Sequence, residues 1–279
     1  MNAPEIKQVL ATLGARPNKQ LGQHFLIDDA ALDAMIQASG VRPGDHVLEI
    51  GPGLGVLTDA LLQAGASVTA IEQDRLFIPY LERRFSGLPL RVAHGDAASL
   101  SWEQVVDTLE PWKCISNLPY AITSLALRKA LWSPHPAERV TVLVQREVAE
   151  RAVAKNGKTS LLSLMVSLAS SEAHIVRRVP AGAFFPPPKV ESAVLEIISL
   201  PLHEREARWG IDPEHIMHVA KTGFAHPRKH LAANLATPAH PKAALQELFS
   251  SLSINPLARA ENLSPIQWAA LTRAQHPRL

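Results

Sequence analysis

The stretch HVLEIGPGLG occupies residues 46–55, and its two halves predict different structures. The first half is an almost uninterrupted apolar run, which predicts a buried β-strand at His46–Ile50. The second half places Gly51, Gly53 and Gly55 directly after that strand and before a helix pattern. Glycines let the backbone approach a ligand closely and let the helix N-terminus face it. This order is typical of a nucleotide-binding α/β fold, although glycine turns also serve packing alone.

Strand and helix patterns alternate along the rest of the first two hundred residues. Further strand-like runs occupy residues 67–71, 90–94, 112–116 and 140–144. Repeated βα units of this length predict a mostly parallel sheet. Residues 174–176 and 192–198 then form two strand-like runs with no helix pattern between them, which predicts an antiparallel pair at the sheet edge.

The composition changes after Leu200, where prolines separate short helix patterns and strand signals end. We expect an α/β domain at residues 1–202, which begins with an N-terminal arm at residues 1–28. A small all-helical domain is expected at residues 203–279.

Composition excludes several classes of protein. Hydrophobic residues make up 47% of the 279 residues, yet no apolar run approaches the ~20 residues of a membrane span. The N-terminus has no apolar signal core, and the single cysteine, Cys114, excludes an internal disulfide. We therefore expect a cytoplasmic protein. The net charge of +2 means that any basic partner surface must be local.

Three acidic residues lie at or just after the carboxyl ends of predicted strands. Glu49 ends the first strand, Glu72 lies 21 residues after Gly51, and Asp96 follows the strand at 90–94. The position of Glu72 is where Rossmann-type folds bind ribose hydroxyls, and Asp96 is placed to accept from an adenine amino group. Acids without nearby Lys or Arg favour S-adenosylmethionine, whose sulfonium and ammonium groups are positive. The alternative is that Glu49 and Asp96 only cap helices.

The segment Asn117-Leu118-Pro119-Tyr120 follows the fourth strand and should lie beside that cofactor site. An adenine N6 amine is a poor nucleophile because its lone pair is conjugated into the ring. The Asn117 side-chain oxygen and the Leu118 or Pro119 carbonyl could accept its two hydrogens, and Tyr120 offers a face for stacking. Such chemistry depends on positioning and electrostatics. The alternative is an ordinary turn with a core tyrosine.

The whole chain is similar to the KsgA/RsmA family of ribosomal RNA small-subunit adenine dimethyltransferases. The similarity rests on residues 19–26, 51–55, 117–120, 145–149, 184–190 and 259–263. It implies a Rossmann-like class I methyltransferase sheet, mostly parallel with one antiparallel edge strand, and S-adenosylmethionine as methyl donor. It also implies transfer of two methyl groups to each of two adjacent adenines in a 3′-terminal hairpin of 16S rRNA.

The motifs and the resemblance together assign residues to two sites. The donor site comprises His24, Leu26, Glu49, Gly51, Gly53, Glu72, Asp96, Ala97 and Asn117. The catalytic residues are Asn117, Leu118, Pro119, Tyr120 and Phe184. Tyr120 and Phe184 would sandwich an adenine flipped from its stack. The chain departs from the family at His24, where asparagine is usual, at Ala121, and in the loop at residues 158–163.

Basic residues predict contacts with RNA phosphates. The candidates are Arg146, Arg151, Lys155, Arg228 and Lys229, with solvated helix faces as the alternative. The expected partner is 16S rRNA within an assembling small ribosomal subunit, bound by a monomer. The scattered histidines show no metal-ligand spacing, so no metal is expected.

Two other functions compete with this interpretation. One is methylation of adenine in 23S rRNA, which the proline-rich segment at 184–190 and the match at 259–263 argue against. The other is a non-catalytic nucleic-acid-binding or assembly factor on the same scaffold. Such a protein would have no need of the acids or of the Asn117–Tyr120 segment.

Overall fold

Contacts divide the chain into two compact units in the computed structural model, which describes residues 1–106, 111–154 and 157–275. The first unit comprises Met1–Ala149 and Ala173–Ser199, and the second comprises Glu150–Glu172 and the chain from Leu200 onward. The second unit therefore includes residues 150–172, which the sequence-based division placed in the first domain.

Helices and strands alternate through the first two hundred residues, and helices alone follow. The helices are α1 Ala3–Thr12, α2 Asp29–Ser39, α3 Val56–Gln63, α4 Ile78–Arg84, α5 Thr123–Trp132, α6 Arg146–Ala152, α7 Leu161–Ala169, α8 Leu202–Trp209, α9 Pro213–Gly223, α10 Leu231–Leu235, α11 Lys242–Ser251 and α12 Pro265–Gln275. The strands are β1 Phe25–Leu26, β2 His46–Ile50, β3 Ser67–Glu72, β4 Leu90–His94, β5 Trp112–Asn117, β6 Arg139–Gln145, β7 Ser170–Val179, β8 Phe184–Phe185 and β9 Ser192–Ser199.

Seven strands form the main sheet, in the order β4-β3-β2-β5-β6-β9-β7. The pairs from β4 through β6 are parallel, and β9 pairs antiparallel with β6. Strand order reverses on either side of β2, because β3 lies on one side and β5 on the other. Open α/β sheets bind ligands at such a switch point, outside the carboxyl ends of the strands. The predicted fold class is confirmed.

The apolar runs form strands because their side chains are buried. Val47, Val68, Ile115 and Leu143 share one core cluster with Val194, and each is at most 3% exposed. Burial of this kind suits the Val, Ile and Leu composition of central parallel strands. The five parallel strands match the predicted ones to within two residues, whereas β7 is a ten-residue strand and was predicted from only three.

A second, two-stranded sheet joins the N-terminal arm to the proline-rich segment. Phe25 pairs with Phe185 and Leu26 with Phe184, in antiparallel register. A further apolar cluster surrounds this pair and includes Ile6 of α1, which is fully buried. Burial therefore holds the arm against the rest of the first unit.

Hydrogen bonds to the C-terminal helices explain why the second unit includes residues 150–172. Trp268 of α12 is fully buried and stacks on Phe224, with ring centroids 5.6 Å apart. Trp209 of α8 donates its indole N–H to the carbonyl of Leu168 in α7 at 3.0 Å. The amide of Thr159 donates to the carbonyl of Glu261 at 3.1 Å.

Within the described residues, no helix has the length and hydropathy needed to cross a membrane.

Candidate active site

A cavity of about 320 Å³ opens at the carboxyl ends of β2, β3, β4 and β5. Its walls come from five segments of the first unit: residues 19–26, 49–57, 71–73, 95–97 and 117–122. Twelve predicted site residues line it: His24, Leu26, Glu49, Gly51, Gly53, Glu72, Asp96, Ala97, Asn117, Leu118, Pro119 and Tyr120. The sheet therefore brings together side chains that are almost one hundred residues apart in the chain.

The glycine turn is held by the acid at the end of β3. The Gly53 amide donates to Glu72 Oε2 at 3.0 Å, and the Asp74 amide donates to Glu72 Oε1 at 2.7 Å. Burial raises the pKa of the Glu72 carboxyl, although these amides oppose the rise. Each carboxylate oxygen has a second lone pair, so Glu72 can fix the turn and still accept from a ligand hydroxyl.

Positive φ angles explain why this turn requires glycine. Gly53 and Gly55 have φ of 57° and 77°, in the left-handed region that other residues rarely adopt. A Cβ at Gly55 would also lie 2.6 Å from the Phe85 ring, so the position has no room for a side chain.

Glu49 is 2% exposed and accepts a hydrogen bond from the Thr58 hydroxyl at 2.6 Å. Burial raises its pKa to about 8, so the carboxyl is mostly protonated at neutral pH. The Thr58 bond ties Glu49 to the first turn of α3, and a positive charge nearby would favour the ionised form of its carboxyl. Its contact with a cationic donor stays a prediction.

A tight turn carries Asp96 and Ala97 after β4. Asp96 Oδ1 accepts from the Ala98 amide at 2.8 Å, and the Asp96 carbonyl accepts from the amides of Ser99 and Leu100. Ala97 is 5% exposed and lines the cavity. This geometry presents an acid and a buried backbone position side by side.

The two ends of the Asn117 side-chain amide have different surroundings. Its Nδ2 donates to the His24 carbonyl at 3.1 Å, which leaves Oδ1 as the acceptor end. The Pro119 carbonyl already accepts from the Ile122 amide at 3.1 Å. The Pro119 carbonyl keeps a second lone pair, so the Leu118 and Pro119 carbonyls both stay candidates for the second acceptor.

His24 connects the cavity segments 19–26 and 117–122 to Pro186 in the proline-rich segment. Its Nδ1 lies 2.7 Å from the Pro186 carbonyl, and a carbonyl only accepts, so Nδ1 carries the hydrogen. Its ring is nearly parallel to that of Tyr120, with centroids 6.0 Å apart. The Tyr120 hydroxyl lies 2.7 Å from Ser192 Oγ, and burial raises the pKa of Tyr120. His24, at a position where the family it resembles usually has asparagine, therefore helps to position the Asn117–Tyr120 segment.

Phe184 is the one predicted catalytic residue that the structure does not bring to the cavity wall. It is 2% exposed and belongs to the same core cluster as Ile115 and Leu143. Alternation along a strand turns the neighbouring Phe185 outward, where the Lys7 ammonium lies 5.2 Å from its ring centroid. The stacking role of Phe184 stays a prediction, and it requires the side chain to leave the core.

Four predicted RNA-binding residues that the structure describes lie outside the cavity wall: Arg146, Arg151, Arg228 and Lys229. Arg146 forms an ion pair with Glu191 at 2.5 Å, and Arg151, Arg228 and Lys229 are exposed. Lys155 lies outside the described residues. Their contacts with RNA stay predictions.

Sequence reasoning missed several residues that hold the cavity wall. Gln23 donates to Asp74 Oδ2 at 2.9 Å and accepts from the Asn18 amide at 2.8 Å, which ties the N-terminal arm to the end of β3. Lys129 binds the turn that follows Asp96. Gln23 lies in the segment 19–26 that resembles the family, but the sequence gives no sign that its side chain bonds to Asp74. Nor does the sequence show that Lys129 bonds to the turn after Asp96.

The described residues show neither a cluster of metal ligands nor a reactive thiol. Among the described residues, no group of three or more His, Cys, Asp or Glu side chains is arranged to hold a metal ion. Cys114 is buried within β5, and burial raises the pKa of its thiol to about 12. A buried thiol with a raised pKa is a poor nucleophile, so Cys114 is structural.

Known proteins are similar in sequence along nearly the whole chain. The family model for ribosomal RNA adenine dimethylase matches residues 14–275. A ribosomal RNA small subunit methyltransferase A from Deinococcus radiodurans is 40% identical over 92% of this chain and 85% of its own. One from Dehalococcoides mccartyi is 36% identical over 96% of this chain and 91% of its own.

Solved structures support the same relationship. A dimethyladenosine transferase from Plasmodium falciparum superposes with a TM-score of 0.73 and 26% identity, covering 91% of this chain and 98% of its own. The 23S rRNA methyltransferase ErmE superposes with a TM-score of 0.67 and 26% identity, covering 89% of this chain and 98% of its own.

Proposed function

The chain belongs to the ribosomal RNA adenine dimethylase family, and on that premise we propose that its substrate is the 16S rRNA of the small ribosomal subunit. The protein is an S-adenosylmethionine-dependent rRNA adenine dimethyltransferase. The proposed targets are two adjacent adenines in a 3′-terminal hairpin, each of which receives two methyl groups. The names of the curated relatives support the choice of the small subunit.

The cavity residues fit the proposed methyl donor. Glu72 offers carboxylate oxygens to ribose hydroxyls, Asp96 offers one to the adenine amino group, and Gly51 and Gly53 line the cavity with backbone alone. Of the described residues that line the cavity, Lys19 alone is a lysine or arginine, whereas Glu49, Glu72 and Asp96 are acidic, which suits a cationic ligand that lacks phosphate. The donor supplies an electrophilic methyl group on a sulfonium centre.

The Asn117–Tyr120 segment would position the accepting amine. Asn117 Oδ1 and the Leu118 or Pro119 carbonyl accept the two N6 hydrogens, which reduces conjugation of the nitrogen lone pair with the ring. Tyr120, fixed by Ser192 and His24, supports the base through its ring face. In each transfer N6 would take the methyl carbon as its bond to the donor sulfur breaks, and N6 would then release one proton to water. In the second transfer, one acceptor would hold the remaining N6 hydrogen while the first methyl group occupies the place of the other.

The single observation that carries this proposal is the bond from Asn117 Nδ2 to the His24 carbonyl. It orients the amide so that its oxygen, and not its nitrogen, is available beside the donor cavity. An amide in the opposite orientation would offer hydrogens to an amine, which has hydrogens of its own.

The setting of the reaction belongs to the same proposal. We place it in the cytoplasm, with the enzyme acting as a monomer on an assembling small subunit. Sedimentation of the protein alone measures whether it is a monomer. Sedimentation with isolated small subunits, combined with an activity assay, measures whether it acts on them. A stable dimer that alone is active, or activity confined to free rRNA, would contradict this setting.

Transfer of labelled methyl groups tests the choice of substrate. Small and large ribosomal subunits from cells that lack these methyl groups are incubated separately with the protein and labelled S-adenosylmethionine. We expect label in 16S rRNA, and none in subunits that already carry the modification. Label in 23S rRNA alone would refute the proposal.

A further inference from the structure

Lys129 of α5 places its ammonium group against three backbone carbonyls of the turn that follows Asp96. Lys129 Nζ donates to the carbonyl of Ala97 at 3.0 Å, of Ala98 at 2.8 Å and of Leu100 at 2.7 Å. An ammonium has three N–H donors, so all of them are used in this one turn.

The turn cannot satisfy those carbonyls by itself. Its amides at Ala98, Ser99 and Leu100 bond back to Asp96, as in the first turn of a helix, but no helix continues from it. Carbonyls at the end of such a turn need donors from elsewhere. The Trp102 indole also donates to the Ala97 carbonyl, at 3.0 Å, and the Lys129 ammonium lies 5.7 Å from the Trp102 ring centroid.

Packing shapes the turn, and two nearby acids favour the charged form of the Lys129 side chain. A Cβ at Gly95 would lie 2.5 Å from Leu100 Cδ1, so the turn folds tightly back on the end of β4. Burial lowers the pKa of Lys129, while the charges of Glu103 and Asp96 oppose that effect. The positive charge therefore faces the two acids on either side of the turn.

We propose that Lys129 is a positioning residue for the adenine end of the methyl donor. It fixes the turn that presents the Asp96 carboxylate and the Ala97 backbone to the cavity, although Lys129 does not itself line it. This inference rests on the proposed function, because it assigns Asp96 and Ala97 to the donor. Loss of the ammonium loosens the turn and weakens donor binding, with little effect on turnover at saturating donor.

The test compares Lys129→Met with Lys113→Met. Lys113 is a matched control because its ammonium also binds a backbone carbonyl, that of Gly40 at 2.9 Å, and the Asp45 carboxylate at 2.6 Å. None of these control residues lines the cavity. Calorimetry gives the S-adenosylmethionine dissociation constant, and amide exchange reports on the turn.

We expect Lys129→Met to raise that dissociation constant about tenfold, as the loss of charged hydrogen bonds implies, and to speed exchange at Ala98 and Leu100. Lys129→Arg should recover part of the affinity, since it keeps the charge but its planar group cannot address all three carbonyls. Lys113→Met should leave the affinity within about twofold even if it lowers the melting temperature as much.

A double-mutant cycle with Asp96→Asn separates a local effect from a general one. If Lys129 acts through this turn, the losses of affinity from Lys129→Met and Asp96→Asn are less than additive, whereas those from Lys129→Met and Glu72→Gln add. Equal donor affinity in wild type and Lys129→Met, or equal losses in both lysine variants, would overturn this inference alone. A wild-type protein that binds no S-adenosylmethionine would overturn the proposed function and this inference with it.

Discussion

At the scale of single residues, Asn117 uses its two amide ends for different tasks. The nitrogen is bonded to the His24 carbonyl, so the oxygen is oriented before any substrate arrives. Preorganised acceptors of this kind lower a barrier because they need no rearrangement during the reaction. The sequence predicted the role of the oxygen from the motif, but not the bond that orients it, because His24 and Asn117 are 93 residues apart.

Asn117→Ala should reduce methyl transfer at saturating substrates by about 10²-fold, since it removes one acceptor for the amine. Donor affinity, measured by calorimetry, should weaken but remain measurable. Asn117→Asp is the matched control: it keeps an acceptor oxygen and loses the donor to His24, so we expect activity between that of Asn117→Ala and wild type. Near-normal turnover by Asn117→Ala would refute the assigned role.

Glu49 should make stability depend on pH. Its folded-state pKa, about 8, is raised from 4.5, so the folded protein binds the proton more tightly than the unfolded chain. The stabilisation is therefore complete below about pH 4.5 and is lost as pH rises to about 8. The slope is at most about 1.4 kcal/mol per pH unit.

Glu49→Gln removes this titration while keeping an acceptor for the Thr58 hydroxyl. Relative to wild type, the variant should gain free energy of unfolding as pH rises from 5 to 8 and should show a constant difference above that range. Denaturant unfolding at several pH values measures the difference. A difference that stays constant between pH 5 and pH 8 would show that the Glu49 carboxyl is already ionised in the folded protein.

At the scale of elements, the glycine turn connects β2 to α3 and fixes where the helix begins. Gly55 precedes α3 directly and packs its α-carbon against the Phe85 ring. The same Phe85 belongs to the apolar cluster that holds α1. The turn is therefore constrained from the cavity side by Glu72 and from the core side by Phe85.

Gly55→Ala and Gly87→Ala distinguish crowding from backbone strain. Both glycines have positive φ, 77° and 81°, but an added Cβ meets the Phe85 ring at Gly55 and nothing within 4 Å at Gly87. We expect Gly87→Ala to cost about 1–2 kcal/mol of unfolding free energy, from strain alone. Gly55→Ala should cost about 1–3 kcal/mol more. Equal losses by denaturant unfolding would contradict the crowding.

Element prediction succeeded where one local pattern decides the structure. The central strands follow from their apolar runs, because a buried parallel strand needs no partner-specific signal. The pair β1–β8 has only two residues in each strand, and its partners are separated by about 160 positions, so no local period reveals it. Phe184 illustrates the same limit: the motif identifies it, but only the pairing of β8 shows which phenylalanine faces the core.

At the scale of the whole molecule, the two units contain different predicted sites. The first contains the cavity and the acceptor segment, while Arg228 and Lys229 lie exposed in the second, between α9 and α10. The composition change after Leu200 predicted a helical unit. It could not predict that residues 150–172 join it, because bonds such as that from Trp209 to Leu168 form only in the folded chain.

Arg228→Ala together with Lys229→Ala should weaken binding to small ribosomal subunits across all substrates. Each lost phosphate contact should reduce the salt dependence of binding by about one unit of log–log slope. Donor affinity should not change. Lys221→Ala, an exposed lysine on α9, is the control. An unchanged salt dependence in the double variant would remove these residues from the RNA interface.

The most direct test of the central claim is mass mapping of 16S rRNA after reaction of unmodified small subunits with the protein and S-adenosylmethionine. The account predicts N6,N6-dimethyladenosine at two adjacent positions near the 3′ end, and its loss with Asn117→Ala. Product limited to monomethyladenosine, or methylation elsewhere in 16S or only in 23S rRNA, would contradict it.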